Sequence, residues 1–449
     1  MTTALRRATA ALAATALLAT GAACGGGGGG GGGAAPEAQG NAADVDAALQ
    51  AGGTLTYWSW TPSAEAQVAA FEKAYPKVDI KLVNAGTGQT HYTKLQNAIK
   101  AGSGAPDVAQ IEYFALPQFA LAKSLVDLNA YGFGSFKDQY SPGPWSSVAI
   151  NNGLFGLPQD SGPMAMFYNK TVFDKHKIAV PKTWDEYIAA AKKLNAADPK
   201  AFMVNDTGDA GFTTSMIWQA GGRPFQTNGS EVTVNLQDEG SKKWANTWNP
   251  LVQDKLVSTV PGWTDDWFKS IGNGSIATLL AGAWMPGVLE SSAKPGAGQW
   301  RVAPLPTYDG APANAENGGG AQSVLAQSKS QALAAGFVKW LNNDKESIKV
   351  FLKSGGFPAT TADLTSPSFL SYSSKYFGGQ KINQVLAPGA EAVSPGWNYL
   401  PYQTYANSVF PDTVGQSYAK RVDLNTGLQA WQKSLVDYGT EQGFTVKAP

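Results

Sequence analysis

The sequence predicts an α/β protein built from two lobes, and three observations lead to this fold class. The chain has 449 residues, which exceeds the length of about 250–300 residues at which single hydrophobic cores stop growing. Hydrophobic residues make up 43% and charged residues 15%, a composition that folds with a weakly charged surface. Strand and helix patterns alternate from Gly53 onward, and such alternation builds a sheet covered by helices.

The first alternating unit follows Gly53. Thr61 is the expected N-cap of its first helix, because Pro62 suits the first turn and Pro76 cannot continue a helix. Apolar residues alternate in the strands and recur at helical spacing in the helices. The predicted order is strand 55–57, helix 61–75, strand 78–82, helix 92–101 and strand 107–111. This order predicts parallel strands.

Further elements follow along the chain. Phe167 and Tyr168 close an expected strand, and Thr183 with Glu186 forms the capping-box pattern of a helix start. Asn228–Gly229 is typical of a hairpin turn. Two more helices are predicted at 331–341 and 344–353.

The N-terminal segment is expected to direct export. Arg6 and Arg7 precede an apolar run that is too short to span a bilayer, so residues 1–23 are predicted to be a signal peptide. Cys24 is the single cysteine of the chain, and its position after Gly21-Ala-Ala resembles a lipobox, although Gly21 stands where such motifs usually carry Leu. We expect a lipidated Cys24 at the outer face of the cell membrane.

A glycine run at 25–33 begins the segment 24–52. Chains of this composition bury little apolar surface, so the whole segment is predicted to be a flexible tether. The mature chain has no second cysteine and therefore no disulfide.

Charge and histidine content argue against several functions. The formal net charge is zero, whereas a nucleic-acid-binding protein needs a basic surface. His91 and His176 are far apart and lack the spacing of zinc ligands, so neither a metal nor a cofactor is expected. A Ser-His-Asp triad is disfavoured because no nucleophile-elbow motif is present.

The order and spacing of short motifs over nearly the whole mature chain resemble family 1 extracellular solute-binding proteins, the group that contains the maltose-binding protein. These motifs are Thr54-Leu-Thr-Tyr-Trp-Ser-Trp60, Phe71-Glu-Lys-Ala-Tyr-Pro76, Gly104-Ala-Pro-Asp-Val-Ala-Gln110, Gly156-Leu-Pro-Gln-Asp160, Phe167-Tyr-Asn-Lys170, Pro181-Lys-Thr-Trp-Asp-Glu186, Gly274-Ser-Ile-Ala277, Gly282-Ala-Trp284, Ala303-Pro-Leu-Pro306 and Asn317-Gly-Gly-Gly320.

The resemblance implies a type II periplasmic-binding-protein clamshell, in which the chain crosses between lobes near 162–167 and again near 318–324. The N-terminal lobe would combine residues 53–161 and 321–365, and the C-terminal lobe residues 162–320 and 366–449. It also implies a monomer without enzymatic activity that captures a mono- or oligosaccharide by hinge closure and delivers it to the permease subunits of an ABC importer.

The candidate ligand-binding residues come from two arguments. Ligands of open parallel sheets sit beyond the carboxyl ends of strands, and sugars need aromatic faces with a few carboxylates or amides. The second argument is the resemblance, which implies that Trp284 stacks on a sugar and that the loop around Asp209 touches ligand. Together they give Trp58, Ser59, Trp60, Glu112, Gln159, Asp160, Asp209, Phe212, Trp284, Gln322 and Trp397.

Two other functions stay open from the sequence. A glycoside hydrolase needs two carboxylates about 5–9.5 Å apart, and Glu112 with Asp160, or the pair Asp265–Asp266, could supply them. The same fold could also bind a peptide or a polyamine, because a fold does not fix a function.

Overall fold

The structure is a computed structural model, and it describes residues 41–449. The predicted signal peptide 1–23, the anchor Cys24 and the glycine run 25–33 lie outside the described residues.

The strands are short and scattered along the chain. They are β1 Gly53–Trp58, β2 Val78–Val83, β3 Val108–Glu112, β4 Ala149–Ile150, β5 Gly153–Leu154, β6 Leu157–Pro158, β7 Met164–Asn169, β8 Val204–Asn205, β9 Phe225–Asn228, β10 Glu231–Val234, β11 Val257–Ser258, β12 Thr278–Gly282, β13 Trp300–Pro304, β14 Gly320–Val324 and β15 Thr445–Lys447.

The α-helices lie between these strands in the first two thirds of the chain and follow one another from α12 to α19. They are α1 Ala42–Ala51, α2 Ala64–Ala74, α3 Gly88–Ala101, α4 Leu116–Leu121, α5 Pro142–Val148, α6 Lys170–Lys175, α7 Trp184–Ala197, α8 Ala210–Gln219, α9 Glu239–Gln253, α10 Asp265–Asn273, α11 Met285–Ser292, α12 Gln331–Asn343, α13 Lys345–Lys353, α14 Thr361–Leu364, α15 Pro367–Leu370, α16 Asn383–Glu391, α17 Gln403–Val409, α18 Val414–Lys420 and α19 Leu424–Glu441. Short 3-10 helices span Leu128–Tyr131, Phe133–Gln139 and Lys294–Gly296.

The first sheet has the strand order β2-β1-β3-β14-β6. Strands β2, β1 and β3 are parallel, as the sequence predicted, whereas β14 returns from far along the chain and pairs antiparallel with β3 and β6. A buried apolar cluster packs on this sheet, with members drawn from residues 45–157, 321–341 and Ala359.

A second group of strands has β7 at its centre, flanked by β12 and β13, both antiparallel to it. Two buried clusters cover this sheet, one from residues 164–305 and 400–435 and the other from residues 165–302 and 357–390. Leu364, which the sequence assigned to the N-terminal lobe, packs in the latter cluster. The full division of the chain into lobes by residue stays a prediction.

Three chain segments run between the two groups of strands. The β6–β7 connection and the segment before β14 pair through Pro163 and Glu316, and a third segment pairs Pro358 with Asp160. The Gly162 carbonyl accepts a hydrogen bond from the Asn317 N–H at 2.8 Å. These segments form the hinge region, 160–164, 314–320 and 357–360.

Two local predictions were wrong. Residues 42–51, expected within a flexible tether, form α1, because an Asn41–Asp44 capping box starts the helix and Val45 and Leu49 are buried against the first cluster. Thr61 does not cap α2, which begins three residues later with Ser63 in the N-cap position. Other predicted elements, including the hairpin of β9 and β10, are present.

No helix between residues 41 and 449 combines the length and the apolar character needed to cross a membrane.

Candidate binding cavity

A cavity of about 530 Å³ lies beside the hinge region. Glu112, the last residue of β3, and the nearby Phe114 line one side of it, and most other lining residues lie between Val204 and Met285. The hinge contributes Asn317, Gly318 and Gly319. Because both parts of the chain line this cavity, a bound molecule could contact both.

Three tryptophans form an aromatic wall of the cavity. The rings of Trp263 and Trp284 are stacked, with centroids 5.8 Å apart and planes inclined by 25°, and Trp267 lies 5.3 Å from Trp263. Trp263 is 61% exposed and its backbone is left-handed, with φ +66°. An exposed aromatic face of this kind suits the apolar C–H face of a ring-shaped ligand.

Hydrogen bonds fix the orientation of the two inner rings. The Trp284 Nε1–H donates to the Asn317 carbonyl at 2.7 Å, and the Trp267 Nε1–H donates to Asn205 Oδ1 at 2.6 Å. Asn317 Nδ2 donates in turn to Ser215 Oγ at 3.2 Å. The tryptophan wall is thereby tied directly to the hinge.

Two aspartates of the cavity wall accept hydrogen bonds from protein donors. Asp206 accepts hydrogen bonds from Trp248 Nε1 at 2.7 Å, from the Tyr418 hydroxyl at 2.8 Å and from the Gly208 N–H at 2.9 Å. Burial nevertheless raises the pKa of Asp206 to about 6. Asp209 caps α8 by accepting from the Phe212 N–H at 2.6 Å.

Glu112 is the third carboxylate of the cavity wall and the last residue of β3 in the first sheet. Its Oε2 accepts a hydrogen bond from the Tyr92 hydroxyl at 3.0 Å. None of the hydrogen bonds described for residues 41–449 occupies its Oε1. Burial raises the pKa of Glu112 to about 7, and the nearby Asp160 adds to this effect.

Two more carboxylates lie in the hinge region itself. Asp160 Oδ1 accepts from the Gly320 N–H at 2.7 Å. Glu316 is only 1% exposed and accepts from the Ser161 hydroxyl at 2.8 Å and from the Gly162 N–H. Each carboxylate therefore joins one crossing segment to another.

Four of the residues selected from the sequence line the cavity: Glu112, Asp209, Phe212 and Trp284. They come from distant parts of the chain and the fold brings them together. Their contact with a ligand stays a prediction.

Ser59, Gln159 and Gln322 do not line the cavity, because they are buried in a polar network of the first lobe. Ser59 Oγ donates to Gln110 Oε1 at 2.7 Å. The side-chain amide of Gln159 donates from Nε2 to Thr61 Oγ1 at 2.9 Å, and its Oε1 accepts from Gln322 Nε2. Their hydrogen-bonding groups are used within the protein.

The structure also places four other candidates away from the cavity wall. Trp58 and Trp60 pack edge-on against the buried ring of His91, with centroid separations of 6.0 and 4.9 Å. Trp397 stacks on Trp218 at 5.1 Å. Asp160 lies in the hinge rather than on the wall.

Several wall residues were missed by the sequence reasoning. Trp263 and Trp267 belong to a short segment of loop and helix start, 261–267, whose Gly262-Trp263 pair was a usable signal. The cavity wall also includes three residues from a segment much later in the chain, Tyr399, Gln403 and Asn407. No local sequence pattern marks these residues.

Within residues 41–449, no group of three or more His, Cys, Asp or Glu residues is arranged to hold a metal ion.

Residues 57–348 match the sequence profile of the bacterial extracellular solute-binding proteins. The chain belongs to this family. A curated relative, the arabinooligosaccharide-binding protein of Bacillus subtilis (strain 168), is 27% identical over 359 residues, which cover 76% of this chain and 82% of the relative.

Two solved solute-binding proteins share the fold. The ABC-transporter-associated binding protein from B. animalis subsp. lactis Bl-04, solved in complex with β-1,6-galactobiose, is 45% identical, with a TM-score of 0.80 over 88% of this chain and 99% of that chain. The galacto-N-biose/lacto-N-biose I-binding protein of Bifidobacterium longum, solved with lacto-N-biose, is 28% identical, with a TM-score of 0.78 and the same coverage. The predicted two-lobed binding-protein fold is confirmed.

Proposed function

We propose that this solute-binding protein is the carbohydrate-binding component of an ABC importer and captures a mono- or oligosaccharide in the cavity beside its hinge. The observation that carries the proposal is the wall of stacked tryptophans beside Glu112 in a cavity of about 530 Å³. This volume falls within the range of about 300–1,000 Å³ that is usual for small-molecule sites. Relatives solved with β-1,6-galactobiose and lacto-N-biose support the ligand class.

Trp284 is the proposed stacking residue and Glu112 the proposed hydroxyl acceptor. Trp284 is held rigidly by Asn317, so little entropy is lost when a sugar ring packs on it. Glu112 keeps one carboxylate oxygen without a described protein donor. Asp209 and Phe212 line the same cavity and complete the part of the proposed site that the sequence selected.

Capture is proposed to shift the protein toward a closed form. Glu112 comes from the first sheet and Trp284 from the segment after β12 of the second, so a sugar that contacts both favours the arrangement in which they approach. The size of this shift equals the difference in the sugar's affinity for the two forms. The closed form would then be presented to the membrane permease.

We further propose that the protein acts at the outer face of the cell membrane, anchored through a lipidated Cys24. Replacing Cys24 with Ser should release the protein from the membrane fraction into the medium, while membrane retention of the variant would refute the anchor.

The binding function is tested by a thermal-shift panel of β-1,6-galactobiose, lacto-N-biose, lactose, an arabinooligosaccharide, a tripeptide and spermidine. A sugar at one hundred times its dissociation constant should stabilise the protein by about 2.7 kcal/mol. Trp284→Ala should abolish this response, whereas Tyr372→Ala, which removes a 43% exposed ring outside the cavity wall, should retain it. A response to the peptide or to spermidine alone would overturn the proposal.

Hydrolysis of the sugar is not expected from the geometry. Asp160, the predicted partner of Glu112, is engaged by Gly320 and does not line the cavity. Asp265 and Asp266 are exposed in the first turn of α10, also outside the wall. Long incubation with β-1,6-galactobiose should leave it intact, and release of galactose would show an enzyme.

A further inference from the structure

The charged groups on the cavity wall all have one sign. Glu112, Asp206 and Asp209 contribute carboxylates, and no Lys, Arg or His is among the described residues that line the wall. The ion pairs found in residues 41–449 all lie on other surfaces of the protein. An anion that enters this cavity would meet carboxylates without a cationic side chain.

The helix that begins at the cavity does not supply a compensating anion site. A free helix N-terminus attracts anions through its N–H groups. In α8 the Asp209 carboxylate already occupies the Phe212 N–H, so the helix end carries its own negative partner. At the hinge, the Gly320 N–H is likewise taken by Asp160.

Glu112 is the wall carboxylate best placed to act on a ligand. Asp206 is saturated by three protein donors, and Asp209 serves as the N-cap of α8, whereas Glu112 is the wall carboxylate that comes from the first sheet. Glu112 is held by Tyr92 through one oxygen only, so its other oxygen can accept from a hydroxyl or an ammonium group. The same oxygen would repel a carboxylate or a phosphate.

We propose that Glu112 determines the charge selectivity of the cavity, which admits neutral and amino sugars and rejects sugar acids and sugar phosphates. The inference rests on the proposed carbohydrate function and goes beyond family membership, which specifies a solute but not its charge. At an effective permittivity of about 20, a like charge at about 10 Å still weakens binding roughly tenfold or more. Selectivity therefore requires no direct contact between the two charges.

The test uses two ligands that have the same shape and differ in charge. They are β-1,6-galactobiose derivatives in which C6 of the non-reducing galactose is either a carboxamide or a carboxylate. Calorimetric titration at pH 8 keeps Glu112 ionised, because burial raises its pKa only to about 7. The carboxylate should bind at least tenfold more weakly than the carboxamide.

The ratio of the two affinities should fall at least threefold in Glu112→Gln, although Asp206 and Asp209 remain, and it should be unchanged in Glu65→Gln, an exposed acid on α2 outside the wall. Equal binding of the two derivatives to the unaltered protein would overturn the inference, as would an unchanged ratio in Glu112→Gln. If neither the derivatives nor β-1,6-galactobiose itself bind, the proposed function has failed first.

Discussion

Replacing Glu316 with Gln should remove part of the pH dependence of stability. Glu316 is buried in the hinge, where it accepts hydrogen bonds from Ser161 and Gly162. Burial raises its pKa from 4.5 to about 7, the two hydrogen bonds oppose this rise, and the negative charge of Asp160 adds to it. None of the ion pairs of residues 41–449 involves Glu316.

The sign follows from proton binding in the two states. The folded protein binds the Glu316 proton more tightly than the unfolded chain does, so this group adds stability in acid that is lost as the pH rises through about 7. One unit of pKa shift corresponds to about 1.36 kcal/mol. Integrating the difference in bound protons from pH 5.5 to pH 8 therefore gives a loss of roughly 2 kcal/mol in the free energy of unfolding from Glu316 alone.

The assay is the free energy of unfolding in urea at pH 5.5 and at pH 8. The unaltered protein should lose more stability over this interval than Glu316→Gln, by roughly 2 kcal/mol. Glu65→Gln, an exposed acid on α2, serves as the control and should follow the unaltered protein. Any constant cost of the Gln amide facing the Gly162 N–H cancels in the pH difference. Identical pH dependence in Glu316→Gln would refute the reasoning.

Three further substitutions probe other features. Leu49→Ala should destabilise the protein by about 2–5 kcal/mol in urea titrations, because Leu49 seats α1 against Gly336 of α12; an unchanged midpoint would restore the tether interpretation. Gly162→Ala should lower the free energy of unfolding by about 1–3 kcal/mol, because the new Cβ would lie 2.5 Å from the backbone carbonyl oxygen of Asn317 and force the crossing segments apart. An unaltered melting temperature would contradict this close approach. Trp263→Gly should weaken sugar binding roughly threefold to tenfold in calorimetry, because the exposed ring of the wall is removed. Thermal stability should be retained, because glycine accepts the left-handed backbone at this position. A large drop in melting temperature would show a structural role for Trp263.

The sequence predicted the elements whose signal is local. Alternating apolar residues located β1 and β2, and Asn228–Gly229 located the hairpin of β9 and β10. The helix α1 was missed because the segment was judged by its overall composition, in which the two core residues Val45 and Leu49 count for little. The helix packs on α12, which lies far along the chain. Composition describes a segment alone and contains no information about such a partner.

The site was predicted only in part, for a related reason. Glu112 ends β3, and the carboxyl ends of parallel strands gather at one edge of a sheet, so its position along the chain was informative. Trp284 was selected from the family resemblance instead. Gln159 directly follows β6 and Gln322 lies within β14, and their side chains bond to each other. Whether a buried amide faces a ligand or another amide depends on pairing between strands distant in sequence, as with β14 and β6.

A crystal structure of the protein with β-1,6-galactobiose tests the central claim most directly. The account predicts a sugar ring packed on the face of Trp284 within the cavity and a sugar hydroxyl donating to Glu112. A sugar bound elsewhere, for example against Trp58 and Trp60, with the tryptophan wall vacant, would contradict it.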